Sequence, residues 1–158
     1  MSGGATAINN GQAFEKKYDF QRLLEEHGYD LSKFEFHNQD EFNTFMKKHD
    51  FDMTEHFGKF FKPDEAFIYN NHLYVIEKKF QGSGGSVDEK IQTGPYKKLI
   101  YETCAKHLGL SGATYIFLLG EYFLKDKFTK HQIPYSWKCG IPVYIESFPF
   151  DEYFKEAA

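Results

Sequence analysis

From Lys62 to Lys79 the chain reads Lys-Pro-Asp-Glu-Ala-Phe-Ile-Tyr-Asn-Asn-His-Leu-Tyr-Val-Ile-Glu-Lys-Lys, and this stretch constrains the fold most. Two runs rich in aromatic and β-branched residues flank Asn70-Asn71-His72. Asn tolerates the positive φ of a tight turn, so the pattern predicts a β-hairpin. A hairpin brings its two ends back to one place. Asp64, opening the first strand, is therefore expected beside Glu77 and Lys79, which close the second. Side chains two residues apart leave a strand on the same face, so Glu77 and Lys79 are expected to point together. The competing reading makes Asp64 a cap at the strand entrance and Glu77 with Lys79 the solvated face of an edge strand.

The 158 residues suffice for one well-cored domain and are few for two. Residues 1–8 are small and polar and are expected to lack order, leaving 9–158 as the single domain. No apolar run reaches the roughly 20 residues of a membrane span, and the N-terminus lacks the pattern of a secretory signal. Cys104 and Cys139 have no metal-motif spacing and read as reduced packing residues. Together these features predict a cytoplasmic protein. The net charge of −4 is unevenly spread. Residues 1–57 carry six Lys and Arg against eleven Asp and Glu, whereas residues 58–98 carry seven lysines against five acids. The hairpin thus lies in a basic segment of an acidic chain, as a polyanion-binding site would.

Gly11 to His27 has helical apolar spacing, with Gly28 to stop it. Asp30 to Phe36 suits a short strand and Gln39 to His49 a second helix, while Phe51 to Phe61 is aperiodic and reads as loop or irregular strand. The run Phe80-Gln-Gly-Ser-Gly-Gly-Ser86 reads as a loop beside the hairpin's open end. Ser86 and Glu89 have capping-box spacing for a short turn over 87–92. Pro95 suits the start of a helix to about Leu108 that buries Leu99, Ile100, Thr103 and Cys104 and stops at Gly109. Ala113 to Leu119 is continuously apolar, as a strand covered on both faces should be. Residues 121–137 show no clear period; a strand over 141–145 and a helix over 150–156 follow. The order predicts an α/β fold with a mixed sheet.

Pro63-Asp64 followed one hairpin later by Glu77-Lys78-Lys79 resembles the PD-(D/E)XK nuclease superfamily, which includes type II restriction endonucleases, junction resolvases and repair nucleases. The likeness covers roughly Glu15 to Leu119. In that family a glutamate from the preceding helix often joins the site, and Gly11-Gln-Ala-Phe-Glu15 resembles that element. Gln92-Thr-Gly-Pro-Tyr96 resembles a Gln-three-residues-Tyr element of some branches. The resemblance implies a restriction-endonuclease-like three-layer α/β/α fold around a mixed sheet. It also implies catalytic roles for Asp64, Glu77, Lys79 and Glu15.

The chemistry of the residues supports the same expectation independently. Hydrolysing a phosphodiester requires an activated water and neutralisation of phosphate charge, which a hard divalent cation on carboxylates supplies. Asp64, Glu77 and the Lys78 backbone carbonyl are the expected ligands of Mg2+, with Mn2+ expected to substitute. Lys79 would orient the water or stabilise the transition state, and Gln81 continues the same-face alternation toward the metal's water or a phosphate. Ser83, Ser86, Lys90, Gln92, Tyr96 and Lys97 are candidate DNA contacts. No phosphate-binding glycine loop or nucleophile motif competes with this reading. The expected function is magnesium-dependent cleavage of double-stranded DNA, as a sequence-specific type II restriction endonuclease acting as a homodimer or with a recognition subunit. A junction or repair nuclease of the same fold, and a non-catalytic nucleic-acid-binding subunit, remain alternatives.

Overall fold

The hairpin forms as expected. In the computed structural model, which describes residues 3–81 and 86–158 and the side chains of 10–81 and 90–158, two antiparallel strands, β2 (Glu65–Tyr69) and β3 (His72–Lys79), meet at Asn70-Asn71. Both asparagines have positive φ, 49° and 61°. His72 pairs with Tyr69, so the turn is two residues rather than Asn-Asn-His.

The remaining strands grow outward from this pair. β1 (Phe34–Phe36) pairs antiparallel with β2, while β4 (Ala113–Leu119) and then β5 (Val143–Ile145) add in parallel beyond β3. The spatial order is β1-β2-β3-β4-β5. Parallel neighbours need crossover connections. Helix α5 (Gly94–His107) supplies the first, and α6 (Tyr122–Lys125) with α7 (Lys127–Lys138) the second.

Burial alternates along β4 as a two-faced strand requires. Tyr115, Phe117 and Leu119 join a core with Ile100, Tyr101 and Cys104 of α5, and with Phe42 and Met46 of α3 (Asp40–Lys48). Ile116 and Leu118 join a second core on the opposite face. That core takes in α1 (Gly3–Lys17), α2 (Phe20–Glu26) and α8 (Phe150–Phe154). The result is an α/β fold with a five-stranded mixed sheet flanked by helices on both faces. No helix among the described residues is long and apolar enough to cross a membrane.

Several local expectations are corrected. The small polar start, expected to lack order through residue 8, is helical from Gly3 onward in α1. The single helix expected over 11–27 is two, because Asp19 turns extended and caps α2 through the Arg22 amide. The aperiodic 51–61 stretch contains α4 (Met53–Phe57), which Asp52 caps by accepting from the Thr54 and Glu55 amides. In α5 the buried stripe is Ile100, Tyr101, Cys104 and Ala105, while Leu99 is exposed. The helix is rotated so that Tyr101, stacked on Tyr115 of β4, meets the sheet in place of Leu99.

One polar interaction joins the helical layer to the hairpin. Lys78 leaves β3 on the face opposite Glu77 and Lys79 and is buried. Its ammonium has three protons to donate. They find Glu65 Oε1 at 3.0 Å, the Tyr18 carbonyl at 3.1 Å and the Glu15 carbonyl at 3.1 Å. Glu65 in turn accepts from the Phe20 amide at 3.0 Å and from Asn38 Nδ2 at 2.8 Å. Burial pushes the Glu65 carboxyl up, opposed by the Lys78 charge and the Phe20 amide. Removing one partner of such a pair strands the other charge in the core, at a cost of about 3–5 kcal/mol. Lys78→Met is therefore expected to lose about that much stability in urea unfolding, while Glu65→Gln/Lys78→Met recovers most of it and Lys79→Met costs less than ~1 kcal/mol.

Candidate active site

The register of the hairpin sets the site. Glu65 stands opposite Ile76, so one step further toward the open end Asp64 faces Glu77. Asp64 Oδ2 accepts from the Lys78 amide at 2.8 Å, and Oδ1 accepts from Gln39 Nε2 at 3.2 Å. Gln39, at φ 53° just before α3, also donates its backbone amide to the Pro63 carbonyl at 2.8 Å. It thereby holds Asp64 from side chain and backbone together. Nothing in the residue pattern marks Gln39 for this role; only the antiparallel approach of β1 to β2 brings it there.

Glu77 lies on the same face as Val75, only 5 % exposed. Lys79 Nζ lies 3.9 Å from Glu77 Oε2. Burial is the main cause that pushes the Glu77 carboxyl up to about 8, and the negative charge of Asp64 adds to it. Lys79 and Lys97 pull the other way without prevailing. Desolvation, with the Asp64 charge adding to it, thus outweighs the attraction of the two lysines.

Lys97 belongs to this site. It projects from α5, half-buried, and burial draws its pKa down, with Glu77 and Asp64 opposing and Lys79 and Lys59 reinforcing the shift. Lys59, which no motif marks, is thus a further cation near Lys97. Beneath the acids lie the hydroxyls of Tyr101 and Tyr115, both fully buried and without a hydrogen-bond partner among the described residues. Burial raises both phenols well above the ordinary range, and Glu77 is the next cause for each. Their signal in the sequence is faint: Tyr115 shows only as part of an apolar strand.

Glu15 approaches from the other side of the sheet. Its carbonyl is held by Lys78, and its carboxyl is pushed up by burial and by Asp64, against Lys78 and Lys79. Its carboxyl thus feels the charges of the site. Gln81 is buried, and neither end of its amide finds a partner among the described residues. Lys90 is exposed on the 3-10 segment Ser86–Thr93, Gln92 turns to a cleft against α7, and Tyr96 is 58 % exposed. Ser83 and the Ser86 side chain lie outside the described residues.

The donor set fits a hard divalent cation. Asp64 and Glu77 supply two carboxylates, and N–H and C=O of one strand residue leave the same edge, so the Lys78 carbonyl lies on the Asp64 side. A cation there would favour the ionised Glu77 that burial, and secondarily the charge of Asp64, disfavours. Without one, the folded Glu77 keeps its proton to about 8 while the unfolded chain releases it near 4.5. Stability from this group is thus complete below that lower value and is lost as pH rises toward the upper one. In EDTA, Glu77→Gln is expected to raise the melting temperature by roughly 5–10 °C at pH 9 and to change it little at pH 4.5. Equal effects at the two pH values, read by thermal unfolding, would contradict this.

No protein-family model, curated protein or solved structure matches the chain.

Proposed function

We propose that the protein is a magnesium-dependent endonuclease that hydrolyses double-stranded DNA, of the restriction-endonuclease type its hairpin motif resembles, and that it acts in the cytoplasm. The observation that supports this reading is the convergence of Asp64, buried Glu77 and Lys79 at the open end of one hairpin. In this reading the three-layer arrangement is that of the restriction-endonuclease-like fold.

Asp64, Glu77 and the Lys78 carbonyl would hold the ion, which lowers the pKa of a bound water and offsets phosphate charge. Gln39 and the Lys78 amide fix the Asp64 carboxylate in one orientation. Lys79, beside Glu77, would hydrogen-bond the attacking water or a non-bridging phosphate oxygen. Lys97, whose proton is loosened by burial, faces the same space and supplies positive charge as the pentacovalent phosphorus forms. The water oxygen bonds to phosphorus, one ester P–O bond breaks, and the products are a phosphate monoester and a free hydroxyl. Glu15, whose carboxyl feels Asp64, Lys78 and Lys79, shapes the field at the site. With 158 residues carrying one site, cutting both strands calls for a homodimer or a partner subunit.

Incubation with supercoiled plasmid tests the reading. Wild type with Mg2+ or Mn2+ is expected to give nicked product or discrete fragments, and none in EDTA. Asp64→Ala and Lys79→Ala are each expected to lower the rate at least 100-fold. Cleavage that is equal in wild type and both variants would overturn the assignment.

A further inference from the structure

Beyond the acid pair, the most developed unexplained feature is a cleft of about 500 Å³ between α7 and the segment leading into α5. Gln92, Phe128, His131, Gln132 and Tyr135 line it. The rings of Phe128 and Tyr135 are each 52 % exposed, an unusual placement for residues that could have been buried. Gln132 is the reverse, a polar side chain at 9 % exposure whose Oε1 has no partner among the described residues. Its Nε2 reaches only the Phe128 carbonyl, at 3.4 Å. A buried carbonyl oxygen left unpaired beside two exposed rings is costly unless something donates to it.

The chemistry selects the occupant. Two aromatic faces offer stacking surface to a flat ring, and the free Gln132 oxygen, the Gln92 amide and the His131 imidazole offer polar edges. The α7 side of the cleft suits a polyanion: from Lys127 to Ile145 there is no Asp or Glu, while Lys127, Lys130 and Lys138 are all exposed, and the acids of the facing segment, Asp88 and Glu89, precede the lining Gln92 by three or more residues. The cleft is also tied to the acid site. The Ser86–Thr93 segment packs against both α7 and α5, and Gln92 precedes Lys97 by five residues. At helical rise that is about 8 Å, on the order of two or three nucleotide steps along a strand.

We infer that this cleft receives a single unpaired nucleobase of a DNA strand, stacked between Phe128 and Tyr135 and donating to Gln132, while neighbouring phosphates run toward Lys97. This rests on the proposed nuclease reading for its choice of DNA and adds, beside the duplex at the acid site, a separate grip on a strand with an unstacked base. Such a base is available in single-stranded DNA or at a bulge, and not in a fully paired duplex.

Fluorescence anisotropy with three labelled oligonucleotides of one sequence, single-stranded, fully paired and carrying one bulged base, tests it in EDTA on wild type, Phe128→Ala and Tyr135→Ala. Both variants remove half-exposed rings, and their thermal midpoints serve as the folding control. Each is expected to weaken binding of the single strand and the bulged duplex about tenfold or more, leaving the paired duplex within about twofold. Unchanged binding, equal loss on all three ligands, or no binding by wild type would overturn the inference. So would sedimentation showing that Phe128→Ala only splits a dimer. If the plasmid assay shows no cleavage while this pattern holds, the nuclease reading falls and the base-binding cleft stands. Cleavage with unaltered binding gives the opposite result.

Discussion

The buried ammonium of Lys78 is the interaction on which the rest of the architecture depends. It lies at the middle of the Glu77-Lys78-Lys79 triplet and points away from the other two, into the layer formed by α1 and α2. There it donates to Glu65 of the paired strand and to the carbonyls of Glu15 and Tyr18, where α1 ends. The same residue's amide bonds Asp64 on the other side of the strand. One lysine thus holds the helical layer against the sheet through its side chain and fixes the site's first acid through its backbone. A hydrophobic residue of equal length would pack there but would leave the Glu65 carboxylate without its counter-charge and two carbonyls without this donor.

The strand's alternation turns this anchor into a working arrangement. Because Lys78 is committed to one face, Glu77 and Lys79 are committed to the other, over the tyrosines of α5 and β4. Glu77 is then buried next to Asp64, with Lys79 nearly 4 Å away and Lys97 arriving from the crossover helix. Stability alone does not favour such crowding of acids. Acids crowded and desolvated in this way are characteristic of functional sites, and a hard cation fits the oxygen donors in place.

The hairpin, its turn and the convergence of Asp64, Glu77 and Lys79 were legible because they follow from period-two alternation and two turn-forming asparagines. The central strand was legible from its unbroken apolar run, and α3 and α5 from spacing and end signals. The two roles of Lys78 were not, because a lysine between an acid and another lysine carries no mark of burial. Gln39, Lys59 and Tyr101 were equally hidden, each brought to the site by the way separate elements pack rather than by spacing along the chain. The split of α1 from α2 was missed because Asp19 caps a helix within a stretch whose apolar spacing runs on regardless. Residues 121–137 defied periodic reading since α7 exposes Phe128, Tyr135 and Trp137, which a pattern search assigns to the core.

The central claim is that Asp64 and Glu77 form a divalent-cation site whose charge Lys78 does not share. Mn2+ binding followed by electron paramagnetic resonance of the free ion tests it without relying on cleavage. The account predicts that wild type removes Mn2+ from solution in competition with Mg2+, that Asp64→Asn and Glu77→Gln each weaken binding at least tenfold, and that Glu15→Gln does not. Binding that survives loss of both Asp64 and Glu77, or that depends instead on Glu15, would contradict it.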